Sequence, residues 1–216
     1  MSGPHQDQPL VTAGTDLDNA GAAVVLTHGR GASAESIVQQ LGREVHREGV
    51  ALLAPQAARS TWYPNSFLAP VERNEPGRSS GLEVVEAAAE TAVNAGIPHE
   101  RVLLVGFSQG GCLSSEFVAR TPRRYGGLAV LSGGLIGETV DPDDYLSVGD
   151  DLGGTPVFLG CSDVDPHIPE ERVHATAEVL DELGGDVTNR IYDGMGHGVN
   201  ADELERLDGM VAALLD

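Results

Sequence analysis

The sequence has no lysine: all 13 of its basic residues are arginine, set against 33 Asp and Glu, for a formal charge of −20. A carboxylate excess of this size repels the phosphates of nucleic acids and of anionic membranes, so neither is expected as a partner. One account of the imbalance is an ordinary acidic surface encoded by a GC-rich genome that favours Arg codons. The preferred account is a halophilic source, because the Debye length shrinks to about 3 Å in molar salt, where a hydrated carboxylate surface stays soluble. Cysteine is nearly absent. Cys112 and Cys161 stand alone, which excludes a disulfide framework or a zinc cluster and leaves both as expected small buried hydrophobes. No apolar run approaches the roughly 20 residues that span a bilayer. The opening MSGPHQDQP has neither a basic nor an apolar signal region, so the default expectation is a cytoplasmic protein. His5, His46, His99, His167 and His174 are scattered without metal-ligand spacing, so neither metal nor cofactor is expected.

What is present is the pattern of an α/β protein. The 216 residues, 41% hydrophobic, suit a single domain that buries roughly 70% of the surface its unfolded chain exposes. Residues 1–20 are polar and rich in Gly, Pro and Asp, which reads as a loose N-terminal arm with one short strand around Leu10–Ala13; residues 21–216 form the domain. Apolar, β-branched runs at Ala22–Leu26, Val50–Leu53, Val102–Val105, Leu128–Leu131, Pro156–Leu159 and Val187–Ile191 predict six core strands. Between them lie helical faces: Ile37, Val38, Leu41 and Val45; then Leu82, Val84, Val85, Ala88, Ala89, Ala92 and Val93; later Val173, Ala177, Val179, Leu180 and Leu183. A last helix carries Leu204, Leu207, Met210, Val211 and Leu214, with Asn200 or Asp202 placed to cap it. Continuous apolar strands alternating with amphipathic helices predict a mostly parallel sheet of about six to seven strands, covered on both faces. Sites in such sheets lie at strand carboxyl ends, so the long irregular stretches Pro55–Ser80 and Ser132–Thr155 are expected to wall one.

The strand at Val102 runs into Gly106-Phe107-Ser108-Gln109-Gly110 and then into a helix. A G-x-S-x-G turn in that context lifts a serine hydroxyl above the sheet edge, its glycines leaving room where side chains would collide. Two more loops follow strands on the same edge, holding Asp163 and Asp165, then Gly196-His197-Gly198. A serine hydroxyl needs an imidazole to take its proton and a carboxylate to orient that imidazole, which nominates Ser108, His197 and one of the two aspartates. Asp165 is chosen because it begins an Asp-Pro turn ahead of a helix, whereas Asp163 suits a solvated or capping role. The first strand ends in Thr27-His28-Gly29-Arg30-Gly31, the context of an oxyanion loop; the backbone N–H groups of Arg30 and Gln109 are the expected donors, and His28 the expected loop support.

With His28-Gly29-Arg30-Gly31, Trp62-Tyr63-Pro64, Gly106-Phe107-Ser108-Gln109-Gly110-Gly111, Asp165-Pro166-His167-Ile168-Pro169 and Gly196-His197, the chain resembles the carboxylesterase, phospholipase and acyl-protein thioesterase family of α/β-hydrolases. The resemblance implies an α/β-hydrolase fold without a large lid domain, the acid at Asp165, and a shallow acyl pocket beside the nucleophile. It also implies a monomer or homodimer acting on a small-molecule acyl ester. The Trp-Tyr-Pro sequence is similar to bacterial and archaeal esterase-like members and departs from the Trp-Phe-Asp of eukaryotic thioesterases, which weighs against long-chain acyl-protein substrates. Expected function is therefore a serine carboxylesterase for short to medium acyl esters. Thioesters or lysophospholipids are variants on the same residues, and a hydrolase-fold protein that binds without turnover is the rival. Candidates for an apolar acyl pocket are Trp62, Tyr63, Phe67 and Leu68 from one loop. Ile136, Ile168 and Met195 are candidates from three others.

Overall fold

Successive residues of a strand point to opposite faces, so a strand apolar along its whole length must be covered on both sides. β2 (Ala22–Thr27), β3 (Val50–Pro55), β4 (Val102–Phe107) and β5 (Gly127–Leu131) are such strands in the computed structural model, which describes residues 3–146 and 151–216. With β1 (Leu10–Gly14), β6 (Pro156–Ser162) and β7 (Asp186–Tyr192) they form one sheet in the order β1-β3-β2-β4-β5-β6-β7. Every neighbouring pair is parallel except β1 with β3.

The two faces carry separate cores. Ala23 and Val25 of β2 and Leu104 of β4 pack beneath α2 (Gly77–Asn94), α3 (Gln109–Arg120) and α5 (Glu170–Glu182). Val24 and Leu26 of β2, with Leu103 and Val105 of β4, pack beneath α1 (Ala34–Gln40) and α6 (Ala201–Ala213). A short α4 (Asp143–Leu146) lies in the irregular stretch after β5. Part of that stretch, residues 147–150, falls outside the described residues. This is the layering expected from the sequence, an α/β-hydrolase sheet with helices on both faces. Among the described residues no helix is long and apolar enough to cross a membrane.

The expectations for the N-terminal arm, for α1 and for the start of α2 need correction. The N-terminal segment is not a loose arm over residues 3–20. His5 is 2% exposed, its Nε2–H donates to the Trp62 carbonyl at 2.8 Å, and its Nδ1 accepts the Ala58 N–H at 3.0 Å. A polar composition conceals such packing, because one buried imidazole with both nitrogens partnered ties the arm down. The short strand is present as β1, an edge strand that extends to Gly14. Finally, α1 stops at Gln40, so Leu41 and Val45 reach the core from the turns that follow it, while α2 starts at Gly77, inside the stretch expected to be irregular.

Candidate active site

Ser108 sits between the end of β4 and the first residue of α3, with φ 55° and ψ −122°. A left-handed φ on a non-glycine residue costs on the order of 1–3 kcal/mol and persists only where neighbours over-determine it. Here they do. The Ser108 N–H is held by the Leu131 carbonyl at 2.9 Å, and the Cys112 N–H reaches back to the Ser108 carbonyl at 2.9 Å. The turn closes so tightly that a Cβ on Gly110 would strike the Thr27 carbonyl and lie 2.6 Å from the His28 carbonyl oxygen.

The loops after β6 and β7 meet this turn. Ser108 Oγ lies 2.9 Å from His197 Nε2, and His197 Nδ1 lies 2.7 Å from Asp165 Oδ2. A carboxylate can only accept, so Nδ1 carries the ring proton and Nε2 is left to receive the serine proton. Asp165 is held in turn: its Oδ1 accepts the N–H groups of His167 at 2.8 Å and Ile168 at 3.1 Å, and its side chain is fully buried. Burial alone would raise its pKa. The hydrogen bonds from His197 and from the His167 and Ile168 amides outweigh that and hold the carboxyl below its ordinary value, so it stays ionised beside the imidazole. The imidazole itself rests near the Phe107 ring, at 5.1 Å between centroids, and meets His167 edge-on at 5.0 Å. Asp163 does different work. Its Oδ1 accepts the Gly194 N–H at 2.7 Å, and the neighbouring Ser162 Oγ accepts the Gly196 N–H at 3.0 Å, which fixes the path of the histidine loop.

The Gly29–Arg30 turn approaches Ser108 from the end of β2. Among the described residues, neither the Arg30 nor the Gln109 backbone N–H has a hydrogen-bond partner, as donors awaiting a ligand oxygen would be. His28 is fully buried beneath them, donating from Nδ1 to the Gly29 carbonyl at 2.8 Å and accepting the Ala57 N–H at Nε2. Burial, the largest influence, pushes its pKa down and keeps the ring neutral. Side-chain contacts that sequence spacing gave no means to find complete this support. The Arg30 guanidinium donates to the carbonyls of Tyr63 at 2.9 Å, Pro64 at 3.1 Å and Asn65 at 2.6 Å. Gln109 Oε1 accepts the Trp62 N–H at 2.9 Å, its Nε2 donates to the Tyr63 carbonyl at 2.8 Å, and the Trp62 indole N–H donates to the His28 carbonyl.

Of the seven pocket candidates, three line a cleft of about 520 Å³ beside Ser108: Tyr63, Phe67 and Ile168. Arg172 stacks over the Phe67 ring at 5.6 Å, and Cys112 contributes to the lining from the first turn of α3. The other four do not line it. Trp62 is fully buried under the Gly29–Arg30 turn, Ile136 belongs to the core, Leu68 packs against that core, and Met195 Sδ accepts from the Asn200 side chain. For Trp62, Leu68 and Ile136 the reason is common: an apolar side chain in an irregular loop is drawn to the nearest buried surface, and here that is the core.

The model of the phospholipase/carboxylesterase family matches residues 11–215 of this chain. A solved phospholipase/carboxylesterase from Dyadobacter fermentans is similar at a TM-score of 0.90 and 35% identity, over 96% of this chain and 97% of that one. Acyl-protein thioesterase 1 of Gibberella zeae is 34% identical over 124 residues, which is 55% of this chain and 50% of that protein. A probable carboxylesterase of Oryza sativa subsp. japonica is 29% identical over 164 residues, covering 72% and 58%. The chain thus spans about half to three fifths of the length of these two curated relatives.

Proposed function

Because the chain belongs to the phospholipase/carboxylesterase family, whose members are hydrolases, we propose that it cleaves carboxylic esters of short to medium acyl chains through an acyl-Ser108 intermediate, with His197 as base and Asp165 as its orienting carboxylate. The observation that carries the reading is the pair of hydrogen bonds at 2.9 Å and 2.7 Å that join Ser108, His197 and Asp165. Oγ attacks the ester carbonyl as Nε2 takes its proton. The tetrahedral oxyanion accepts from the Arg30 and Gln109 N–H groups, and the imidazolium then protonates the departing oxygen as the C–O bond breaks. A water molecule repeats the sequence against the acyl-serine and releases the acid.

Thioesters are the second reading. It is favoured by the similarity to acyl-protein thioesterase 1, and the same residues serve it with a thiol as leaving group. Stopped-flow hydrolysis of p-nitrophenyl butyrate tests the proposal: a burst of about one p-nitrophenolate per chain is expected, lost together with turnover in Ser108→Ala. Undiminished turnover by that variant would overturn it.

A further inference from the structure

A second cleft, of about 460 Å³, also borders Ser108 and His197. The first cleft runs past Gln109 and Cys112 along the first turn of α3. The second is walled by Ile37 and Leu41 from α1 and the turn after it, by Phe107, and by Val199 and Leu204 from the histidine loop and α6. We infer that this second cleft holds the departing alcohol of the ester and selects an apolar alcohol of several carbons or one ring. The inference rests on the proposed role of Ser108.

The stereochemistry of acyl transfer divides the two clefts. The tetrahedral carbon carries four groups: Oγ, the oxyanion facing Arg30 and Gln109, the acyl chain, and the departing oxygen. The departing oxygen must receive the proton held by His197 Nε2, so whatever it carries extends along the imidazole's own side. His197 borders both clefts, but Phe107, on which its ring rests, and Gly198 and Val199, which follow it in the chain, line only the second, and the alcohol is placed there. The acyl chain is then directed along α3 into the first cleft.

The lining specifies the chemistry. Its inner polar groups are already partnered within the protein. Ser36 Oγ donates to the Ser33 carbonyl at 2.7 Å, both His28 nitrogens are engaged, and the Arg30 guanidinium is spent on three carbonyls. What remains for a ligand is the apolar contact of Ile37, Leu41, Phe107, Val199 and Leu204. The outer residues Gln40 and Glu44 are exposed, and the Glu44 carboxylate disfavours an anionic alcohol.

Contacts to the alcohol exist only until acylation is complete, so they act on kcat/KM and not on breakdown of the acyl-enzyme. With methyl, butyl and hexyl butyrate, kcat/KM is expected to rise roughly two- to fourfold per added methylene. In Leu204→Trp the hexyl-to-methyl ratio falls at least about tenfold. The ratio between methyl octanoate and methyl butyrate, which reads the first cleft, shifts by less than about twofold. A measurement on the unaltered protein removes any dependence on how that variant folds. By microscopic reversibility an alcohol bound in the cleft competes with water for the butyryl-serine, so 1-hexanol captures butyrate at least about tenfold better than equimolar methanol. Alcohol-independent kcat/KM and alcohol-independent capture, or a Leu204→Trp effect on acyl length instead, would overturn the assignment. Ester hydrolysis that survives Ser108→Ala would instead overturn the reading beneath it.

Discussion

Ser108 occupies its left-handed conformation because two glycines give the chain no alternative cost to bear. A Cβ at Gly106 would strike the Gly110 carbonyl and lie 2.6 Å from Gly111 Cα, and one at Gly110 would press on the Thr27 and His28 carbonyls that lead into the Gly29–Arg30 turn. Gly110→Ala is therefore expected to act twice. Overpacking of this kind costs roughly 1–3 kcal/mol, which urea unfolding will register. Displacing the Gly29–Arg30 turn also removes a preorganised donor, so kcat on p-nitrophenyl butyrate falls about 10²-fold or more. An alanine variant with near-normal kcat would show that the donor is not supplied from this turn.

At the scale of the element, α6 has a titratable group inside its first turn. Asn200 caps the helix by accepting the Glu203 N–H at 3.0 Å, and Glu203 Oε2 accepts the Asn200 N–H at 2.8 Å. Glu203 is fully buried, and its Oε1 has no partner among the described residues. Burial, only partly offset by the Asn200 N–H, pushes its pKa from the usual 4.5 to about 7. The unfolded carboxyl loses its proton near pH 4.5 and the folded one near 7, so the folded state holds more protons between them and stability falls as pH rises through that window. Glu203→Gln is expected to be about 2–3 kcal/mol more stable than the parent at pH 8 and little different below pH 4.5, measured by denaturant unfolding at both pH values. Most elements were legible because periodicity reports burial: the six core strands and the faces of α2, α5 and α6 are visible in the spacing of apolar residues. The turn at Ser108 was legible because its close contacts leave no room for a Cβ at Gly106 or Gly110. The His5 latch, the Arg30 clamp on three carbonyls and the second cleft were not. The first two are side chain to backbone contacts between segments far apart in sequence, and the cleft is lined by Ile37 and Leu41, whose pattern reads as ordinary core.

Over the whole molecule, 33 acidic residues face 13 arginines. Arg78, 7% exposed, pairs with the buried Glu116 at 2.7 Å, and Arg30 and Arg172 donate to loop carbonyls. These contacts leave the net charge of −20 unchanged, and the self-repulsion it causes weakens as salt shortens the Debye length from about 10 Å at 0.1 M to about 3 Å at 1 M. Tm is expected to climb steadily with KCl from 0.1 to 2 M, and by more than in an Asp-to-Asn variant carrying fewer surface charges. A Tm indifferent to KCl would remove self-repulsion as a factor in stability and with it the halophilic reading of the charge.

The central claim concerns a single oxygen, Ser108 Oγ, made nucleophilic by its contact with His197. Treatment of the folded protein with a fluorophosphonate, followed by peptide mass spectrometry, tests it most directly. One adduct on Ser108 is expected, absent from Ser108→Ala and formed at least about 10²-fold more slowly in a folded His197→Ala variant. No adduct, or an adduct whose rate is indifferent to His197, would contradict the account and favour a hydrolase-fold protein that binds without turnover.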